Sequence, residues 1–208
     1  MTGLRERKKA ETRQRIADVA AHLFGTQGFD AVAMTDVARA ADVSEQTVYN
    51  YFPAKTDLAL DRAETIRQRL HDLVVDRPAH TSPANALQVV ALEDIARARA
   101  DDLVEQRGQF FALCASSPVV RRFGLAVRDE QTTTIRTALV GTDPTLHPGL
   151  AHVHAASLVA VLELVGDSIG AAVVQGMRPD DELEDTVRLA FTDLDAHYHR
   201  LVQREDQP

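Results

Sequence analysis

The residues from Ser44 to Phe52, SEQTVYNYF, combine side chains suited to reading a nucleic acid. Glutamine and asparagine amides pair bidentately with the major-groove edge of adenine, and threonine can touch a thymine methyl or a phosphate oxygen. Val48 and Phe52 stand four apart, so on a helix they share one face and can pack inward. Glu45, Gln46, Thr47 and Asn50 then lie outward or at the edge. Tyr49, Tyr51 and Lys55 supply hydroxyls and a cation suited to phosphate oxygens. A helix starting near Lys55 would also aim backbone N–H groups at phosphate.

Rival chemistries lack the surroundings they need. Gly166-Asp167-Ser168-Ile169-Gly170 matches G-x-S-x-G, and Asp193 or Asp195 with His197 or His199 follows in hydrolase order. That motif needs a strand before the serine within a parallel sheet, and an oxyanion segment such as His-Gly-Gly. Leu158–Val165 could be such a strand, but no other segment reads as one and no oxyanion segment is present. Asp193/His197 and Asp195/His199 are i, i+4 pairs, and His147, His152 and His154 cluster in sequence. No cysteine ligand or third anchor joins them, so solvated helix faces explain them better than a metal. The paired Glu-x-x-His of a di-iron bundle and a phosphate-cradling Gly-Lys-Ser/Thr loop are missing. The expectation is a protein that is no enzyme and holds no metal or cofactor. A helical protein-binding adaptor is the remaining alternative, and Thr47, Tyr49, Tyr51 and Lys55 argue against it.

The elements that must position these residues are helices, because apolar spacing is helical everywhere and strand alternation is almost absent. Ile16, Val19, Ala20, Leu23 and Phe24 make one apolar face, which Gly25 and Gly28 should end. A second helix is predicted over about Met34–Ala41, then a tight turn at Asp42-Val43. Ser44 is the N-cap of a third helix over about Glu45–Phe52. After Pro53 a long helix should run from near Ala54 to about Val75. Further helices are expected over about Ala84–Gln106, Gln109–Ala115, Val119–Val140, Gly149–Gln175 and 180–203. The fold class is all-α with about nine helices. A three-helix head over 1–58 is followed by a helical effector-binding and dimerisation domain over 59–208.

Composition agrees with a soluble globular chain: 45% of the 208 residues are apolar and 26% charged. The single cysteine, Cys114, rules out an intrachain disulfide and fits a reducing, cytoplasmic setting. No secretory signal opens the sequence. Residues 155–174 are apolar enough for a membrane span, but Glu163 and Asp167 would be costly there, so a helix buried on two sides is expected. Net charge is −8, all of it in residues 59–208, while the first 58 residues are neutral. Arg5, Arg7, Lys8, Lys9, Arg13 and Arg15 form a basic N-terminal arm that can face phosphates, or simply a frayed, solvated terminus.

At Thr12–Leu58 the sequence resembles the DNA-binding domain of the TetR family of transcriptional regulators. The matching pieces are Ile16, Ala20, Leu23, Phe24, Gly28-Phe29, Val37-Ala38, Ala41, Val43-Ser44, Thr47, Tyr49, Tyr51-Phe52, Lys55 and Leu58. Three departures stand out. Asp42 replaces a frequent glycine and can adopt the left-handed turn. Ala33 replaces the usual Ser/Thr cap, which would weaken that cap or shift it to Thr35. Gln46 replaces a frequent glycine and could add a base contact. The resemblance implies a homodimer on a palindromic double-stranded DNA operator, most simply a repressor released by a small-molecule effector. It implies Glu45, Gln46, Thr47 and Asn50 near bases, Thr35, Tyr49, Tyr51 and Lys55 near phosphates, and Ser44 in the same DNA-facing set.

The last two helices, about 149–175 and 180–203, resemble the family's dimer-forming pair. Ala151, Ala155, Leu158, Leu162, Val165 and Ile169 form one apolar stripe, while Val153, Ala156, Ala160, Leu164, Ala171 and Val174 cover other faces. A helix apolar all round is buried on more than one side. Effector-lining candidates are Ile66, Leu70, Leu87, Val90, Phe110, Phe111, Cys114, Phe123 and Leu162, each also readable as plain core. Glu163 and Asp167 would need partners inside an apolar helix. Arg97, Arg121, Arg122 or a cationic ligand could serve, in an intradomain or cross-dimer pair.

Overall fold

A computed structural model describes residues 3–203, which contain eleven helices and no strand. They are α1 (Gly3–Gln27), α2 (Met34–Ala40), α3 (Glu45–Tyr51), α4 (Lys55–Ala59), α5 (Ala63–Val75), α6 (Pro83–Ala100), α7 (Leu103–Arg107), α8 (Phe110–Ser116), α9 (Pro118–Thr142), α10 (Pro148–Val174) and α11 (Asp181–Gln203). Two compact units form. One takes the chain up to Asp61 together with Asp101–Phe123 and Gly170–Met177. The other takes Arg62–Ala100, Gly124–Ile169 and the chain from Arg178 on. Two later segments therefore pack with the N-terminal head.

The count of eleven, against nine expected, comes from two breaks that no glycine or proline marks. The helix expected over 54–75 is interrupted at Leu60–Arg62, between α4 and α5. Asp61 sits in that break, held at 2.6 Å by Arg13 of α1. The helix expected over 84–106 ends at Ala100, and Asp102 caps a new one, its Oδ1 accepting from Val104 N at 2.7 Å. Aspartate is among the best N-caps, so that break was visible in the sequence.

Gly25 does not end α1, as its sequence position suggested; the helix runs through it to Gln27. Gly28 ends it, with φ +84° and its N–H on the Phe24 carbonyl at 2.9 Å. Gly25 serves packing instead. A Cβ there would lie 2.3 Å from the Val104 carbonyl oxygen, and one on Gly108 would lie 1.8 Å from that of Ala21. Backbone therefore meets backbone where α7 crosses α1.

The head's core is built from Ile16, Ala20, Phe24, Phe29, Val32, Val37, Val48 and Phe52, all nearly inaccessible, with Leu113 and Val120 joining from α8 and α9. In the second unit α11 packs along α6, and α6 also packs on α5. Arg99 secures the start of α11, donating to the carbonyl of Pro179 at 3.2 Å and to Glu184 at 2.7 Å. Arg77, almost wholly buried, donates to Asp143 and to the Val74 carbonyl. Tyr198 donates to the same Asp143 carboxylate at 2.6 Å, and burial with this bond pushes its hydroxyl up to about 12.

Candidate nucleic-acid interface

The helix pair α2–α3 is set by local chemistry. Asp42 takes φ +52°, the left-handed conformation the turn requires, and Val43 N–H closes on the Ala38 carbonyl at 3.1 Å. Ser44 caps α3, its Oγ accepting from Thr47 N at 3.1 Å. The cap of α2 stays at Ala33 and does not move to Thr35. Alanine has no side-chain acceptor, so only the reverse half of a capping box forms: Ala33 N–H donates to Asp36 Oδ2 at 2.9 Å.

On α3, Val48 and the flanking Phe52 are fully buried. Arg13 closes this end of the helix, its guanidinium 4.2 Å from the Phe52 ring centroid and donating to the Tyr51 carbonyl at 2.9 Å. Glu45, Gln46 and Asn50 are exposed, Thr47 and Tyr51 half-buried, and Tyr49 is 41% exposed. Gln46 Nε2 donates to Asn50 Oδ1 at 3.0 Å, and the hydroxyls of Ser44 and Thr47 share a hydrogen bond of 2.7 Å. Thr35 is exposed on α2. The face α3 turns away from its domain is thus polar and uncharged except for Glu45.

Lys55 sits differently from a free phosphate ligand. Its ammonium donates to the carbonyls of Phe29 and Val32 at 2.9 Å each and lies 4.4 Å from the Phe29 ring centroid. It ties down the loop between α1 and α2, and phosphate would have to share its protons with those carbonyls. The N-terminus of α4 is also occupied, since Ala54 N–H donates to Asp57 Oδ2 at 2.8 Å. Sequence reasoning missed Arg13, which it counted only within a basic arm. The arm is helical from Gly3, and its residues 3–11 are exposed.

The nine effector-lining candidates, with Glu163 and Asp167, are divided between the two units. Phe110, Phe111, Cys114 and Phe123 belong to the first unit, where Phe110 and Cys114 pack against the head core and Phe123 is 43% exposed. The other seven belong to the second. There Leu70, Leu87 and Val90 are buried core, and Ile66 and Leu162 are half-buried. Glu163 and Asp167 pair with Arg128, at 3.2 and 2.9 Å, rather than with Arg97, Arg121 or Arg122. Burial pushes the Glu163 carboxyl up, against the opposing pull of Arg128. A separate open groove of about 920 Å³ lies between α5 and the start of α6, lined by Leu73, Pro78, Ala86 and Val89 among polar residues such as Gln68, Asp72 and Asn85. None of the eleven lines it.

The hydrolase motif and the candidate metal ligands other than His147, which precedes α10, fall on continuous helix. Gly166–Gly170 lies inside α10, with no strand-to-helix elbow at Ser168. His199 Nδ1 lies 2.9 Å from the Asp195 carbonyl, and His154 and His197 meet through their Nδ1 atoms at 3.3 Å. Among the described residues no group of three potential metal ligands converges.

Residues 16–61 match the family model described as "Bacterial regulatory proteins, tetR family". That segment is a TetR-type DNA-binding domain by sequence. Among relatives, the HTH-type transcriptional repressor KstR of Rhodococcus jostii is 35% identical over 92 residues, 44% of this chain and 42% of that protein. The regulator TcmR of Streptomyces glaucescens is 29% identical over 101 residues, 49% of this chain and 45% of that protein. The chain therefore spans less than half the length of these curated relatives. Solved structures resemble it throughout. NalD of Pseudomonas aeruginosa, the secondary repressor of the MexAB-OprM multidrug efflux pump, has TM-score 0.59 and 18% identity, over 89% of this chain and 96% of that one. The TetR-family repressor AlkX of Dietzia sp. has TM-score 0.56 and 18% identity, over 92% and 98%. At such identities the likeness establishes the TetR fold.

Proposed function

We propose that this TetR-family chain is a cytoplasmic, ligand-responsive DNA-binding repressor that binds a palindromic operator as a homodimer and is released by a small molecule. The observation that carries it is the division of α3 into a wholly buried face and an open polar one. Val48 and Phe52 anchor the helix, and Gln46, Tyr49 and Asn50 stand outside. A helix so mounted fits the major groove, with amides toward base edges. Glu45 and Thr47 border the same surface, while Thr35, Tyr49, Tyr51, Ser44 and the arm of α1 face the phosphates flanking it. Lys55 contributes mainly by holding the α1–α2 loop.

The homodimer reading rests on α10. One stripe (Ala151, Ala155, Leu158, Val165, Ile169) is buried within the chain. On the other side Val153, Ala156, Ala160 and Leu164 are exposed and apolar. A second copy covering that side would place two heads on one duplex, as operator symmetry requires. Effector binding would shift the population toward a pose whose heads no longer match the operator spacing, provided the effector binds the two poses unequally. The groove between α5 and α6 has room for such a molecule, and the division of labour is a reading head over 1–58 and a sensing and dimerising part over 59–208.

The test is selection of bound fragments from random duplex DNA with the purified protein, followed by titration of the winner against salt. A palindromic motif whose affinity falls steeply with salt is expected, by roughly 0.9 log units per log unit of salt for each phosphate neutralised. Recovery of no motif at low salt would sink the proposal and leave the adaptor reading.

A further inference from the structure

The polar face of α3 is internally bonded, and that alters what it can read. Gln46 and Asn50 stand one turn apart, and the bond between them runs in one direction, from Gln46 Nε2 to Asn50 Oδ1 at 3.0 Å. We infer that this bond joins the two amides into one base-reading unit whose two halves specify neighbouring base pairs together. The inference rests on α3 being the reading helix.

The chemistry follows from counting donors and acceptors. A free asparagine offers its carbonyl and amino group side by side, the pattern that fits adenine N6–H and N7. Here Gln46 occupies one of the two lone pairs of the Asn50 carbonyl, so what Asn50 offers the groove is weighted toward its two N–H donors. Their partners in the major groove are acceptors: purine N7, guanine O6 or thymine O4. Gln46 gives one N–H to Asn50 and keeps Oε1 free, an acceptor for the exocyclic amino group of adenine or cytosine. Donor and acceptor are thereby divided between two residues instead of duplicated on each. The two exposed side chains also arrive at the groove already restrained, which lowers the ordering cost of contact. Thr47 is drawn off in a parallel way, because its hydroxyl is bonded to Ser44 Oγ at 2.7 Å. The amide pair, Glu45 and the Tyr49 hydroxyl are left as the polar groups of the outer face.

The consequence is that Gln46 controls the base preferred by Asn50. Duplex selection is run on the full-length wild type, on Gln46→Met, which keeps side-chain length without a strong donor or acceptor, on Asn50→Ala, and on the double variant. Circular dichroism confirms that each folds, as substitutions on an exposed face should. The base pair at which preference vanishes in Asn50→Ala is the one Asn50 reads. At that pair, Gln46→Met should raise the preference for adenine by about tenfold, because the freed carbonyl restores the bidentate pattern. Affinity losses of the single variants on the wild-type site should multiply to a value at least about fivefold greater than the loss of the double variant. If preference at that pair is unchanged in Gln46→Met and the losses multiply, the two amides read independently and the inference is overturned while α3 stands as the reader. If the wild type selects no motif, both fail together.

Discussion

Single residues in this protein show what their conformations cost and what they are for. Asp42 is the one non-glycine residue with positive φ among those described. A β-branched residue tolerates that geometry badly, by about 1–2 kcal/mol. Asp42→Val should therefore lower stability by about that much, and Asp42→Gly should leave it unchanged or slightly raised; thermal denaturation of both variants decides. His154 has no exposed surface, and its Nε2 has no hydrogen-bond partner. Burial, helped by repulsion from His197, lowers its pKa from 6.5 to about 4. In the unfolded chain the same imidazole takes up a proton near 6.5, so between those values only the unfolded state is charged. Stability is accordingly full above about pH 6.5 and declines as pH falls toward 4, by an amount on the order of 3 kcal/mol. A His154→Leu variant should lose this component, and its stability should fall less than the wild type's between pH 6.5 and 4.5. Identical pH profiles by urea unfolding would refute the assignment.

Elements meet here through glycines that look like helix breakers in the sequence. Replacing glycine by alanine inside an exposed helix stabilises by roughly 0.5–1 kcal/mol. At Gly25 and Gly108 the opposite sign is expected, since the added carbon would meet a carbonyl oxygen of the crossing helix at 2.3 and 1.8 Å. Each alanine variant should lose about 1–3 kcal/mol, the usual cost of overpacking. Chemical denaturation reads the sign directly, and a stabilised Gly25→Ala would mean that α1 and α7 do not touch. The head also packs with chain that follows it much later in the sequence. Its core borrows Leu113 and Val120, and Ser117 Oγ donates to Asp30 of the α1–α2 loop at 3.2 Å. Nothing in the periodicity of 101–123 announces that partner.

The whole molecule separates charge as a DNA-binding protein should, with a neutral head and a surplus of acid beyond residue 58. The exposed apolar side of α10 belongs to the same scale, because only a second copy of the chain explains it in the proposed assembly. Ala160→Glu would place a charge in the middle of that side. Light scattering should find a monomer, with helix content retained by circular dichroism and operator affinity reduced by more than about tenfold. A variant that stays dimeric would move the interface elsewhere.

The sequence alone determined the class of the protein and the chemistry of its head. Helical spacing, the Ser44 cap, the inward pair Val48 and Phe52 and the polar residues between them are local patterns, which a helix expresses wherever it forms. Only the tertiary structure decided that the helix after Lys55 breaks at Leu60–Arg62, what Gly25 and Gly108 are for, that Arg13 closes the end of α3 and Lys55 pins the α1–α2 loop, and that Arg128 answers Glu163 and Asp167. Each of these depends on residues far apart in the chain arriving at one point. Spacing along a single helix carries no record of what another helix brings to it.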